Sequence, residues 1–130
     1  MKTELWYLAL VTAFTGLLWV PYILDRIKAW GLMDAVGYPA NPKPQSLWAQ
    51  RMMRAHFNAV ENLVVFAALV LTANAAGISN GAIATAAMVY FWMRVVHALA
   101  YTFGVPWVRT LSFAVAFFCQ AVIAWQILMR

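Results

Sequence analysis

Four apolar runs, each long enough to cross a bilayer, constrain this chain more than any other feature. The hydrocarbon core of a membrane asks for about 20 apolar residues per helix. The runs cover residues 5–30, 47–76, 82–103 and 106–129. The sequence is 65% hydrophobic and only 10% charged, whereas soluble domains carry about 25% charged residues. A soluble fold with this balance would lack polar surface, so an all-α integral membrane protein is predicted, one domain over residues 1–130 built as a four-transmembrane-helix bundle. The net charge of +5 comes with no Lys/Arg cluster and no basic-aromatic interleaving, which argues against nucleic acid.

The punctuation between the runs is clear. The first begins after Met1-Lys2-Thr3-Glu4, is too long for a signal-peptide core and reads as a retained span. Pro21 is placed to kink it, and Gly31 to end it. Residues 31–46 hold Pro39, Pro42 and Pro44 and read as a loop, with Ser46 as the N-cap of the next helix. Gly77-Ile-Ser-Asn-Gly81 reads as a tight turn, and Gly104-Val-Pro106 as a stop followed by a helix start.

Charge asymmetry sets an expected orientation. The first loop and its flanks carry Arg26, Lys28, Lys43, Arg51 and Arg54, the second loop is uncharged, and the third region carries Arg109. The positive-inside rule then puts both termini outside the cytosol and the basic end in it. Arg26, Lys28 and Lys43 read as topology charges, and Trp6, Tyr7, Trp19, Tyr22, Trp48 and Trp107 as interfacial aromatics.

Against this background, Arg51-Met-Met-Arg-Ala-His-Phe-Asn-Ala-Val-Glu-Asn62 is anomalous. A charge near the bilayer centre costs about 3 kcal/mol on insertion scales, so such residues need partners or a polar ligand. Arg51, Arg54, Asn58 and Glu61 follow steps of three, four and three, which share a helix face. Arg94, His97 and Tyr101 do the same on the third helix. Arg109 and Thr110 add a cation and a hydroxyl where a helix N-terminus favours an anion. With the predicted topology all of these fall in one depth zone. The set suits a zwitterionic ligand with excess negative charge, because arginine forks match carboxylates.

Simpler roles compete for each residue. Glu61 pairing with Arg54 or Arg94 would neutralise charge, Asn58 could join helices, His97 could be an interior hydrogen-bonding histidine, and Tyr101 an interfacial aromatic. His56 reads as solvated or capping at the interface. The single Cys119 sits in an apolar run and reads as an inert thiol. No HExxH or Cys/His cluster points to a metal.

Arg54-Ala-His-Phe-Asn58-Ala-Val-Glu61 resembles the R-A-[HQ]-x-N-x-x-E signature of the MAPEG family, membrane-associated proteins of eicosanoid and glutathione metabolism. Arg94-Val-Val-His97-Ala-Leu-Ala-Tyr101 with Arg109-Thr110 resembles its second signature, and the pattern is similar to the bacterial branch. The resemblance implies a homotrimer that binds glutathione between subunits, facing the cytosol, and acts on a lipophilic small molecule that enters from the lipid bilayer. It implies that Asn58 and Glu61 hold the amino end and peptide of glutathione. Arg51, Arg54 and Arg94 would meet carboxylates or form internal ion pairs, and His97 and Tyr101 would contact the tripeptide. Arg109 and Thr110 would stabilise the thiolate and so carry catalysis. The last role has independent physics: a cation lowers the pKa of a thiol from about 8.5, and the thiolate is the nucleophile.

Two positions depart from the pattern. Phe57 stands where some members carry a further arginine, and Phe113 where several carry a tyrosine. The implied activity is transfer or reduction by activated glutathione. The alternatives are a catalytically silent membrane scaffold of the same architecture and, with less support, a small anion transporter.

Overall fold

The computed structural model describes residues 1–129 and is helical throughout its ordered elements. The elements are α1 (Thr3–Leu17), α2 (Trp19–Trp30), α3 (Leu32–Val36), α4 (Leu47–Ala75), α5 (Gly81–Phe103) and α6 (Pro106–Leu128). Four helical rods, with α1 and α2 acting as one, are long and apolar enough to cross a membrane. This makes the chain an integral membrane protein.

The first rod is not one continuous helix. It breaks at Leu18, whose N–H turns back to the Thr15 carbonyl at 3.3 Å. The cause is Pro21, which has no N–H for the carbonyl of Leu17 and whose ring crowds it. The segment 31–46 also departs from a plain loop, because Leu32–Val36 form the short α3.

Ser46 precedes α4, yet its side chain makes no cap bond to that helix. Instead its Oγ donates to Asp25 Oδ1 at 2.7 Å and its N–H to Asp25 Oδ2 at 3.1 Å. Gln45 Nε2 donates to the same carboxylate at 3.2 Å and to the Tyr22 carbonyl at 2.8 Å. The buried Asp25 carboxylate therefore ties the end of the first loop to α2. Arg26 donates from Nε to Gln45 Oε1 at 3.2 Å and lies over the Trp30 ring, so it has a structural contact besides any topology role.

Of the three glycines of positive φ that end helices, two close the same kind of turn. Gly77 and Gly104 have φ of 72° and 74°. At each, the next residue bonds back five positions: Ile78 N–H to the Ala73 carbonyl and Val105 N–H to the Ala100 carbonyl, both at 2.8 Å. Pro106 then opens α6 at a position where a missing N–H does no harm. Asn80 starts α5, its Oδ1 accepting from Ile83 N–H at 2.9 Å while its Nδ2 donates to Gln126 Oε1 at 2.9 Å.

Further bonds tie down the same end of the bundle. Lys2 Nζ donates to Asn74 Oδ1 and Ser79 Oγ to the buried Glu4. The start of α1, the α4–α5 turn and the end of α6 thus share one end. The first loop and the α5–α6 turn share the other.

Helix α5 is the central element, in contact with α1, α4 and α6. In lipid, helices associate by close packing and hydrogen bonds rather than by leaving water, so small residues at contacts matter. Ala86, Ala87, Ala98 and Ala100 of α5, with Ala49, Ala55 and Ala59 of α4, are all buried. The Phe66 and Tyr90 rings stack at 3.9 Å between α4 and α5.

Candidate functional site

One face of α5 runs Tyr90, Arg94, His97 and Tyr101, in steps of four, three and four, the first three buried and Tyr101 partly so. Arg94 is only 2% exposed. Its Nη2 donates to Asn58 Oδ1 of α4 at 2.7 Å, while its Nε and Nη1 have no partner among the described residues. Asn62, one turn further along α4, donates from Nδ2 to the Asn58 carbonyl at 2.9 Å and more weakly to Asn58 Oδ1 at 3.3 Å. Gln120 of α6 donates to the Asn62 carbonyl at 3.1 Å, which links the third partner helix.

A cavity of about 190 Å³ opens beside this pair, lined by Asn58, His97, Tyr101, Arg109, Thr110 and Phe113. Arg109 reaches it from the first turn of α6, its guanidinium 5.2 Å from the Tyr101 ring centroid. The Tyr101 and Phe113 rings lie 5.7 Å and 6.2 Å from the His97 imidazole. A second cavity of about 120 Å³ shares Tyr101 and Arg109 and adds Arg51 and Gly104. Arg51 is held there by a bond from its Nε to the Thr102 carbonyl at 2.8 Å.

The fold therefore brings together Asn58, His97, Tyr101, Arg109 and Thr110, with Arg94 behind Asn58 and Arg51 next door. Within one chain it does not bring in Arg54 or Glu61, which are exposed on α4. The common stripe inferred from their spacing is split, because α4 turns Ala55 and Ala59 into the bundle. Arg94 takes Asn58 as its partner rather than Glu61. His56 is also not simply solvated: its Nδ1 lies 2.7 Å from the Tyr22 hydroxyl, a tie between α4 and α2. Spacing could not show that tie or the Asp25–Ser46 link, since neither pair shares a helix.

The cavity carries formal charge of one sign. Its walls supply a guanidinium, an imidazole, a carboxamide and two hydroxyls, and among the described residues no carboxylate. Such a wall stabilises an anion, with Arg109 as the formal charge and the start of α6 adding partial positive charge. Among the described residues, no cluster of three His, Cys, Asp or Glu side chains suits a metal.

A model of the MAPEG family matches residues 5–129, nearly the whole chain. The chain belongs to the MAPEG family. No curated protein and no solved structure gives a significant match. MAPEG membership fits the four apolar rods and the integral membrane placement. It is also compatible with a glutathione-related membrane function. Phe113, one of the two departures, now has a place: its apolar ring lines the same cavity.

Proposed function

We propose that this protein is a glutathione-dependent membrane enzyme that activates the glutathione thiolate for attack on, or reduction of, a lipophilic electrophile drawn from the bilayer. The observation that carries the reading is the position of Arg109 at the start of α6. It stands beside Tyr101 and Thr110 in a cavity walled by donors, in a MAPEG chain. Arg109 holds the thiolate by charge, and Thr110 donates a hydrogen bond to it. Asn58, His97 and Tyr101 hold the rest of the tripeptide.

The cavity of one chain is small for a whole tripeptide, while Arg54 and Glu61, about one turn to either side of Asn58 on α4, lie exposed. A homotrimer accounts for both, with a neighbouring copy covering α4 and completing the glutathione site together with Arg51, Arg54, Glu61 and Arg94. The charge distribution supports a cytosolic site and termini on the opposite side of a bacterial inner membrane.

Glutathione titration of the detergent-solubilised oligomer, followed by thiolate absorbance, tests this. A saturable signal that disappears in Arg109→Ala supports the enzyme. No binding at millimolar glutathione by a folded oligomer overturns it. The second reading, a silent scaffold of the same architecture, is favoured by Phe113, which gives the cavity a ring where a hydroxyl would serve a ligand.

A further inference from the structure

The Asn58 carboxamide has two ends of opposite chemistry, and what it offers a ligand depends on which end faces the cavity. Arginine can only donate hydrogen bonds. The Asn58 atom 2.7 Å from Arg94 Nη2 must therefore be the oxygen. Asn62 supports the same orientation. Its Nδ2 is fixed by the Asn58 backbone carbonyl, an obligate acceptor, and so presents a proton to Asn58 Oδ1 as well.

Both contacts consume the oxygen. The Asn58 Nδ2 makes no bond within the described residues and is not among the buried, unpartnered atoms. It is thus accessible, and the cavity is the space that Asn58 lines. Arg94 itself does not line that cavity and is nearly inaccessible.

We infer that Arg94 is a positioning and specificity-determining residue: with Asn62 it locks the Asn58 carboxamide so that only its N–H donors face the cavity, which makes the cavity select a carboxylate-like anion over its neutral amide isostere. This deepens the proposed function and rests on it for the use of the cavity. A free asparagine would turn its oxygen to a neutral donor as readily as its nitrogen to an anion. The lock removes the first choice. A donor wall meeting an anion makes charge-assisted bonds, about twice as strong as neutral ones. The NH₂ of an amide ligand would meet only donors at Asn58.

The experiment uses the solubilised full-length oligomer, labelled with ¹⁵N at asparagine, the Asn58 side-chain signal being identified by its loss in Asn58→Asp. Sodium acetate and acetamide, at matched ionic strength, serve as an isosteric pair of probes. Acetate is expected to shift the Asn58 NH₂ signal saturably and ~10-fold more tightly than acetamide, a difference of the size charge assistance supplies. Arg94→Lys, which keeps a donor to Asn58 Oδ1, should retain the preference. Arg94→Met, and more mildly Asn62→Ala, should reduce it and broaden or merge the Asn58 amide signals as the group turns.

An Asn58 signal unmoved by acetate in the wild-type protein overturns the inference, whatever glutathione does. So does a preference unchanged in both Asn62→Ala and Arg94→Met. If Arg94→Met fails to fold, the wild-type titration and Asn62→Ala still decide. Acetate selection without glutathione binding would leave the lock standing and remove the proposed function. Glutathione binding without an Asn58 response would do the reverse.

Discussion

Arg94 on α5 and Asn58 on α4 meet through one hydrogen bond of 2.7 Å, and Asn58 is the only partner that the buried Arg94 guanidinium has among the described residues. The contact ties the two central helices at the point where the polar cavity begins. Bonds to charged groups contribute about 1.5–3 kcal/mol, and an unpartnered buried charge costs more. Asn58→Ala should therefore lower stability by about 2 kcal/mol. Thermal unfolding of the solubilised protein checks this. A midpoint unchanged from wild type would mean that Arg94 finds another partner.

Arg109 differs from Arg94 in being only partly buried, at a helix start rather than within a packed face. Arg109→Ala should leave folding within about 0.5 kcal/mol of wild type, as substitutions away from packed features do. Its effect should fall on the thiol. On the proposed function the cation lowers the thiol pKa, and bound glutathione is expected to be thiolate at pH 7 in the wild type. Without the cation, the thiolate should return only as pH rises past about 8.5, the free-thiol value. Thiolate absorbance of bound glutathione across pH 6–10 should show a rightward shift in the variant. Superimposed curves would exclude Arg109 from thiolate stabilisation.

The turn that delivers Arg109 depends on Gly104, with φ of 74°. A Cβ there would stand 3.6 Å from Arg51 Cζ, an ordinary contact, so space is not the obstacle. The backbone is. A left-handed conformation costs a residue with a Cβ about 1–2 kcal/mol. Gly104→Ala should lose about 1 kcal/mol of stability, and Gly104→Asn, better suited to this region, less. Equal losses for the two would point to a steric cause instead.

The four apolar rods were legible because a run of some 20 apolar residues has few other uses. The polar residues were legible as an anomaly, since Arg94 and Asn58 inside such runs need partners. How they divide between one cavity and the surface was not. Helical spacing puts Arg54, Asn58 and Glu61 on one stripe, but the stripe is wide. Close packing of Ala55 and Ala59 sets which part of it points inward. The links Tyr22–His56, Asp25–Ser46 and Gln120–Asn62 join residues 21 to 58 positions apart, and no local signal announces them. The break at Leu18 was foreshadowed by Pro21, though the residue that gives way lies three positions earlier, near the carbonyl that the proline ring displaces.

Phe113 offers a gain-of-function test. It is 38% exposed and lines the cavity beside Asn58, His97 and Thr110. Its ring is 6.2 Å from the His97 imidazole, so the residue already stands within the polar cluster without contributing a donor. Phe113→Tyr keeps the ring and adds one hydroxyl at an accessible edge, so stability should change by less than about 0.5 kcal/mol. If the hydroxyl reaches the ligand, a net hydrogen bond of about 1 kcal/mol should tighten glutathione roughly fivefold. Calorimetric titration of both proteins gives the ratio. Tighter binding would show that the phenylalanine limits affinity in an otherwise competent site. Unchanged affinity would place glutathione away from Phe113 and weaken the reading of this cavity as its seat.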